Sequence, residues 1–132
     1  IAAMDVFEHI AYEDLMTLCR QVKAALKPGG YLVARFPNGD SPFSLIHQNG
    51  DPTHISAIGA GIAKELMRAS GLELVELRAP TETAAGVMAK AKLQIKHLLR
   101  GLFSAYVRAA YLGGSAPVTF EINYLLIARK PA

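Results

Sequence analysis

The chain has 132 residues, 52% of them hydrophobic and 19% charged, which is enough apolar content for a buried core and too much for a disordered segment. No uncharged apolar run of about 18 residues is present to span a membrane, and the single Cys19 rules out an intrachain disulfide. The net charge of +3 is unevenly placed: residues 1–82 hold ten acids and seven bases, whereas residues 83–132 hold seven bases and only Glu121.

The chain opens Ile1-Ala2-Ala3-Met4, with no initiator Met and none of the charged start and long apolar core of a signal peptide. This reads as a cut inside a longer chain. Ala3-Met4-Asp5-Val6-Phe7-Glu8-His9-Ile10 reads as a strand end and the turn after it. Over residues 12–27, Leu15, Leu18, Cys19, Val22 and Leu26 recur at i, i+3, i+4, i+7 and i+11, the apolar face of one helix. Cys19 lies on that stripe, so a buried reduced thiol in a cytoplasmic protein is the expectation. Pro28 cannot continue the helix, and Gly29-Gly30 allow the positive φ of a tight turn into a strand.

Tyr31 to Phe36 predicts a strand covered on both faces, because its large apolar residues do not alternate with polar ones. Pro37-Asn38-Gly39-Asp40-Ser41-Pro42 then forces a loop at the carboxyl end of that strand, where open α/β sheets bind ligands. Ser56 is placed to cap a helix running to Ser70, with Gly71 as its stop. Leu72, Leu74, Val75 and Leu77 predict the next strand, and residues 79–86 a connector. Helical spacing resumes over residues 87–111, with Gly101 as a bend and Gly113-Gly114 as the end, before a last strand over residues 120–129. The order of strands and helices predicts an α/β fold with a mostly parallel sheet and helices on its faces.

Two loops carry the residue types that do chemistry. Asp5, Glu8 and His9 lie at a strand end, and Gly50-Asp51-Pro52-Thr53-His54 adds a second histidine. Carboxylates and neutral imidazoles from two loops suit a divalent cation. A structural histidine, held by hydrogen bonds and binding nothing, is the ordinary alternative. Asn38, Asp40 and Ser41 open at the end of a strand and are candidates to meet a small molecule, although the same residues are ordinary turn formers. Gly59-Ala60-Gly61 follows no strand carrying Gly-x-Gly-x-x-Gly and does not make a dinucleotide fingerprint.

The strand end with Glu8-His9, the helix, Leu26-Lys27-Pro28-Gly29-Gly30 and the apolar strand after it resemble the second half of a class I S-adenosylmethionine-dependent methyltransferase. The resemblance implies a partial Rossmann-like sheet, the last strands of a seven-stranded mostly parallel sheet, with the final strand antiparallel between the two before it. Residues 1–132 are then the C-terminal part of the domain, and residues 79–116 a variable helical insertion or lid. The quinone-biosynthesis O-methyltransferases resembled here carry Glu-x-x-Glu-His, and this chain has Asp5-x-x-Glu8-His9, with His54 similar to their later histidine. The resemblance implies S-adenosylmethionine as cofactor with Met4 against it, Asn38 and Ser41 at the methyl acceptor, and Asp5, Glu8, His9 and His54 around magnesium. His9 and His54 become the candidate catalytic bases. The Asp in place of Glu puts the coordination at position 5 in question.

The function implied is methylation of a small-molecule acceptor, at oxygen. The alternative is a non-catalytic methyltransferase-like module for binding or dimerisation, and a metal-dependent hydrolase ranks last because it leaves the Pro-Gly-Gly motif unexplained. The helix over residues 87–111 carries Lys90, Lys92, Lys96, His97, Arg100 and Arg108 with no acid. It predicts a lid or packing surface first and peripheral membrane contact over residues 87–112 second. Nucleic-acid binding is not expected, because no aromatic platform interleaves the basic residues.

Overall fold

A computed structural model describes residues 1–112 and 119–132. The chain divides into two units, one formed by Ile1–Pro80 with Pro117–Ala132 and the other by Thr81–Ala116. Gly113 and Gly114, expected to end the long helix, lie outside the described residues.

The first unit is an open sheet with helices. Strand β1 (Ala2–Met4), helix α1 (Tyr12–Ala25) and strand β2 (Tyr31–Pro37) form a βαβ unit in which β1 and β2 pair in parallel. A 3-10 turn at Phe7–His9 separates β1 from α1. After β2 come a 3-10 turn at Pro42–Ser44, the short helix α2 (Leu45–Gly50), helix α3 (Ala60–Ser70) and strand β3 (Glu73–Arg78). The last strand, β4 (Asn123–Arg129), lies between β2 and β3 and runs antiparallel to both, giving the order β1-β2-β4-β3. That insertion of the final strand is the topology the sequence resemblance implied.

One face of the sheet carries the core. The β2–β4 register sets Leu32 opposite Ala128, Ala34 opposite Leu126 and Phe36 opposite Tyr124, and all six are fully buried. Leu15 and Cys19 of α1 and Ala63, Leu66 and Met67 of α3 close over them in a single cluster, so both helices lie on the same side. Val33 and Arg35 of β2 and Leu125 and Ile127 of β4, which alternate with the buried strand residues, are half-buried. The expectation of a β2 strand covered equally on both faces is therefore corrected: from Tyr31 to Phe36 its residues alternate in burial with the pleat, because α1 and α3 lie on one side. Burial pushes the Cys19 thiol up to about 11, so it is packing material with no thiolate character.

Local sequence explains the element ends. Gly29 takes φ 73° in the turn from α1 to β2, as Pro28-Gly29-Gly30 predicts, and Gly71 terminates α3. The start of α3 is different from expectation. The helix begins at Ala60 with Gly59 as its N-cap, and the Ser56 hydroxyl donates instead to the Ile10 carbonyl oxygen at 2.6 Å. The cap is supplied from a distance: the Asp40 carboxylate accepts from the Ala60 N–H at 2.6 Å and from the Tyr124 hydroxyl at 3.1 Å. In β3, the consecutive Leu74 and Val75 are resolved by a bulge. Leu74 and Leu77 both reach the core while Val75 is more than half exposed.

Beyond β2 the loops at the carboxyl ends of the strands are drawn together. The Gly39 N–H donates to Ile58 O at 3.0 Å, and Asn38 and Ile58 form a parallel bridge. A β-carbon at Gly39 would stand 2.8 Å from backbone atoms of Ile58 and Gly59, so this approach requires glycine. Gly39→Ala is expected to cost about 1–3 kcal/mol in urea unfolding, as overpacking does. Gly50→Ala, where a β-carbon meets nothing within 4 Å, serves as the near-neutral control.

Candidate active site

The site is built by two segments sewn together by backbone hydrogen bonds. Phe7 is buried and stacks on Phe36 with ring centroids 5.7 Å apart, which pins the turn after β1 to the sheet. The Glu8 carbonyl oxygen then accepts from both the Ile55 and Ser56 N–H groups, at 2.9 and 3.0 Å. Tyr12 donates its hydroxyl to Ala57 O from the first turn of α1. These bonds carry His54 to His9, and the two rings meet edge to face with centroids 4.6 Å apart.

Glu8, His9 and His54 form a group whose ligand atoms all lie within 4.8 Å of one another. Glu8 is 1% exposed, and its Oε2 has no hydrogen-bond partner among the described residues. Burial raises its pKa above the usual 4.5, with Asp5 adding to the rise and the histidines opposing it. An unpartnered buried carboxylate oxygen carries a desolvation cost that a cation or a donated proton removes.

The hydrogen bonds around the histidines decide which ring nitrogen is available. Thr53 donates its hydroxyl to Asp51 Oδ1 at 2.6 Å, and its N–H donates to the same oxygen at 2.9 Å. With its one proton committed to a carboxylate, the Thr53 Oγ1 that lies 2.9 Å from His9 Nδ1 acts as an acceptor. The Thr53 carbonyl oxygen, 3.2 Å from the same nitrogen, is also an acceptor. His9 is therefore protonated at Nδ1. His54 Nδ1 lies 2.9 Å from the His47 carbonyl oxygen and carries its proton for the same reason. A ring protonated at Nδ1 has its lone pair on Nε2, available to a ligand or a proton, and His54 Nε2 lies 3.8 Å from Asp51 Oδ2. The hydrogen bonds from Thr53 hold the Asp51 carboxyl below the ordinary value of 3.8 and so keep it ionised.

One carboxylate oxygen and two imidazole nitrogens suit a borderline divalent cation such as iron, nickel or zinc better than magnesium, which prefers oxygen donors. Asp5 stands outside this group. It takes a left-handed conformation, φ 54°, which ends β1, and its carboxylate forks onto the Arg35 guanidinium with Nε donating to Oδ1 at 3.0 Å and Nη2 to Oδ2. That pairing raises the Arg35 pKa. Met4, at the carboxyl end of β1 beside Arg35, is 45% exposed.

The two residues expected to meet an acceptor have their polar groups engaged within the chain. Asn38 is fully buried, with Nδ2 donating to Thr119 O at 2.7 Å and Glu121 O at 2.9 Å and Oδ1 accepting from the Asp40 N–H at 2.9 Å. Ser41 is 3% exposed and donates to Phe120 O at 2.7 Å. Together they tie the loop after β2 to the segment entering β4. Sequence reasoning missed Thr53 as the partner of His9 and Asp51 as the partner of Thr53 and His54. Asp-Pro-Thr is a signature of an Asx turn, but the sequence alone does not say which ring nitrogen that turn will face.

Comparison with known proteins bears on the fold. No family model matches the chain, and no curated protein matches it. Solved structures do match. A SAM-dependent methyltransferase from Archaeoglobus fulgidus superimposes with a TM-score of 0.61 at 20% identity, covering 98% of this chain and 57% of its own. An S-adenosylmethionine-dependent methyltransferase from Mesorhizobium loti gives 0.53 at 16% identity over 97% of this chain and 60% of its own. The chain has part of the class I methyltransferase fold. It spans a little over half the length of these structures. The [4+2]-cyclase SpnF has a similar structure, with a TM-score of 0.55 at 20% identity over 99% of this chain and 48% of its own. The methyltransferase fold therefore does not determine the reaction, and the chemistry must be argued from the residues of the site.

Two outcomes follow from the site. Thr53→Val removes the hydroxyl but leaves the main-chain carbonyl oxygen of residue 53 facing His9 Nδ1, so His9 should stay protonated at Nδ1 in long-range ¹⁵N correlation spectra, at a stability cost of about 0.5–1.5 kcal/mol for the lost hydrogen bond. For Glu8, a raised folded-state pKa means that its favourable neutral form is lost as pH climbs from 4.5 through the folded value. In chelator, Glu8→Gln should therefore gain stability over the unmodified chain as pH rises, measured by denaturant titrations at acid and neutral pH. A bound cation should reverse the order.

Proposed function

We propose that this chain supplies the acceptor side of an S-adenosylmethionine-dependent methyltransferase that methylates a small molecule at oxygen. The observation that carries the reading is the group of Glu8, His9 and His54 at the carboxyl end of β1, in a sheet with this fold. Open α/β sheets bind ligands at that end. Met4, exposed at the close of β1, is the residue of this chain that the proposal sets against the cofactor.

When bound, S-adenosylmethionine supplies an electrophilic methyl group, whose bond to sulfur breaks with the electron pair remaining on sulfur. This chain's own contribution is positioning and proton transfer. The acceptor hydroxyl must lie in line with the methyl group, and holding it there is the largest gain the protein has to offer. As the new C–O bond forms, the hydroxyl proton passes to Nε2 of His9 or His54, which their Nδ1 partners hold in the accepting tautomer. Glu8, buried beside both rings, stabilises the imidazolium so formed. Glu8, His9 and His54 are alternatively the proposed ligands of a divalent cation, which would lower the acceptor pKa in place of that proton transfer, since a ring nitrogen bound to a cation has no lone pair left for a proton. The fit rests on the unpartnered Glu8 Oε2 and the two Nε2 lone pairs.

The test is methyl transfer from labelled S-adenosylmethionine to a panel of hydroxylated small molecules, by the protein that contains this chain. His54→Ala is expected to lower kcat by about 10²–10⁴-fold, the range for a lost general base. Calorimetric affinity for S-adenosylhomocysteine should stay within a few-fold. Absence of S-adenosylhomocysteine binding by the unmodified protein would remove the cofactor assignment. Unchanged turnover in both His54→Ala and His9→Ala would remove the base.

A further inference from the structure

The second unit is dominated by helix α4 (Val87–Val107), followed by a π-helical turn at Arg108–Leu112. None of these residues is buried. Met88, Ile95, Leu98, Leu99, Leu102 and Tyr106 fall within one sector of the helix, and each is between 58% and 71% exposed. Leu93, Lys96, Arg100, Ser104 and Val107, across the helix from that sector, are the half-buried ones. Glu82 pairs with Lys96 and, at 3.1 Å, with Arg100 on this far side. The apolar stripe is thus the more exposed side of this helix, and the side carrying Lys96 and Arg100 the less exposed one.

The π-helical turn widens the stripe with an aromatic residue. On a continuous α-helix Tyr111 would sit about 140° around from Tyr106. The wider turn brings the two rings to 6.3 Å, edge to face, so that both aromatic residues stand together.

We propose that α4 and its π-helical turn lie flat on an anionic phospholipid surface. Charge selects this occupant. Between residues 87 and 112 the chain carries Lys90, Lys92, Lys96, His97, Arg100 and Arg108 and no acid. Lys96 and Arg100 lie across the helix and pair with Glu82, so Lys90 and Lys92 are the bases that carry the contact, placed to reach headgroup phosphates while the stripe enters the acyl boundary. Tyr106 and Tyr111 have the amphipathic rings that favour the headgroup level. A second copy of the chain would bring two such acid-free helices together, an arrangement opposed by like charge. Nucleic acid would leave the stripe uncovered. No helix among the described residues is long and apolar enough to cross a membrane, so the contact is with the surface.

The natural chain has no tryptophan, so Leu102→Trp makes a single reporter on the stripe with little change in shape. Its emission should shift to the blue on addition of phosphatidylcholine vesicles containing phosphatidylglycerol. Vesicles of phosphatidylcholine alone should leave it unchanged, and high salt should weaken the effect. In sedimentation with the same vesicles, Lys90→Glu with Lys92→Glu should reduce binding at least tenfold, at unchanged circular dichroism. Equal response to both vesicle types, or none to either, would overturn the proposal. Self-association abolished by Leu98→Asp, without vesicle binding by the unmodified protein, would assign the stripe to a second copy and also overturn it.

Discussion

The arrangement of the site depends on one carbonyl oxygen. Glu8 O receives two backbone N–H groups, from Ile55 and Ser56, and so fixes a segment more than forty residues away in sequence against the turn after β1. Backbone groups buried in a loop must find partners, and here they find them across the two segments that carry the chemical side chains. Phe7 makes the turn rigid enough to serve as the template, because its ring stacks on Phe36 and Phe36 in turn meets Tyr124 edge to face. The sheet core, the turn and the second histidine are thus mechanically continuous.

That continuity gives the two histidines a defined chemical state. Each ring has its Nδ1 fixed by an acceptor that lies outside the group itself, Thr53 for His9 and the His47 backbone for His54. Each is left with a lone pair on the other nitrogen. Glu8 adds a carboxylate oxygen that the fold leaves without a partner among the described residues. Such an oxygen is tolerated where a ligand, cation or proton completes it, and it is the strongest local sign that this turn does more than connect two elements.

The loop after β2 has the opposite character. Asn38 and Ser41 are the residue types that bind small molecules, yet their side chains are buried and satisfied by the backbone of residues 119–121. Asp40 in the same loop caps α3 and receives the Tyr124 hydroxyl. The loop is an anchor that holds β4 and the start of α3 to the carboxyl end of β2. Its polar residues are the means by which a tightly turned backbone next to the core satisfies itself.

What the sequence determined by itself is what short-range physics controls. The helical stripe of Leu15, Leu18, Cys19 and Val22, the Pro28-Gly29-Gly30 turn, the stop at Gly71 and the amphipathic run of α4 follow from periodicity and allowed backbone angles, and each is where the sequence places it. The motifs also carried the resemblance from which the place of the last strand was inferred. Only the tertiary structure decided matters that depend on residues far apart in the chain. The capping of α3 by Asp40 and not by Ser56, the one-sided cover of β2, and the bulge that brings Leu74 and Leu77 to one face are of this kind. So are the diversion of Asp5 to Arg35 and the tautomers of His9 and His54. A side chain's type states which bonds it is able to make, whereas its place in the fold states which of them are still open.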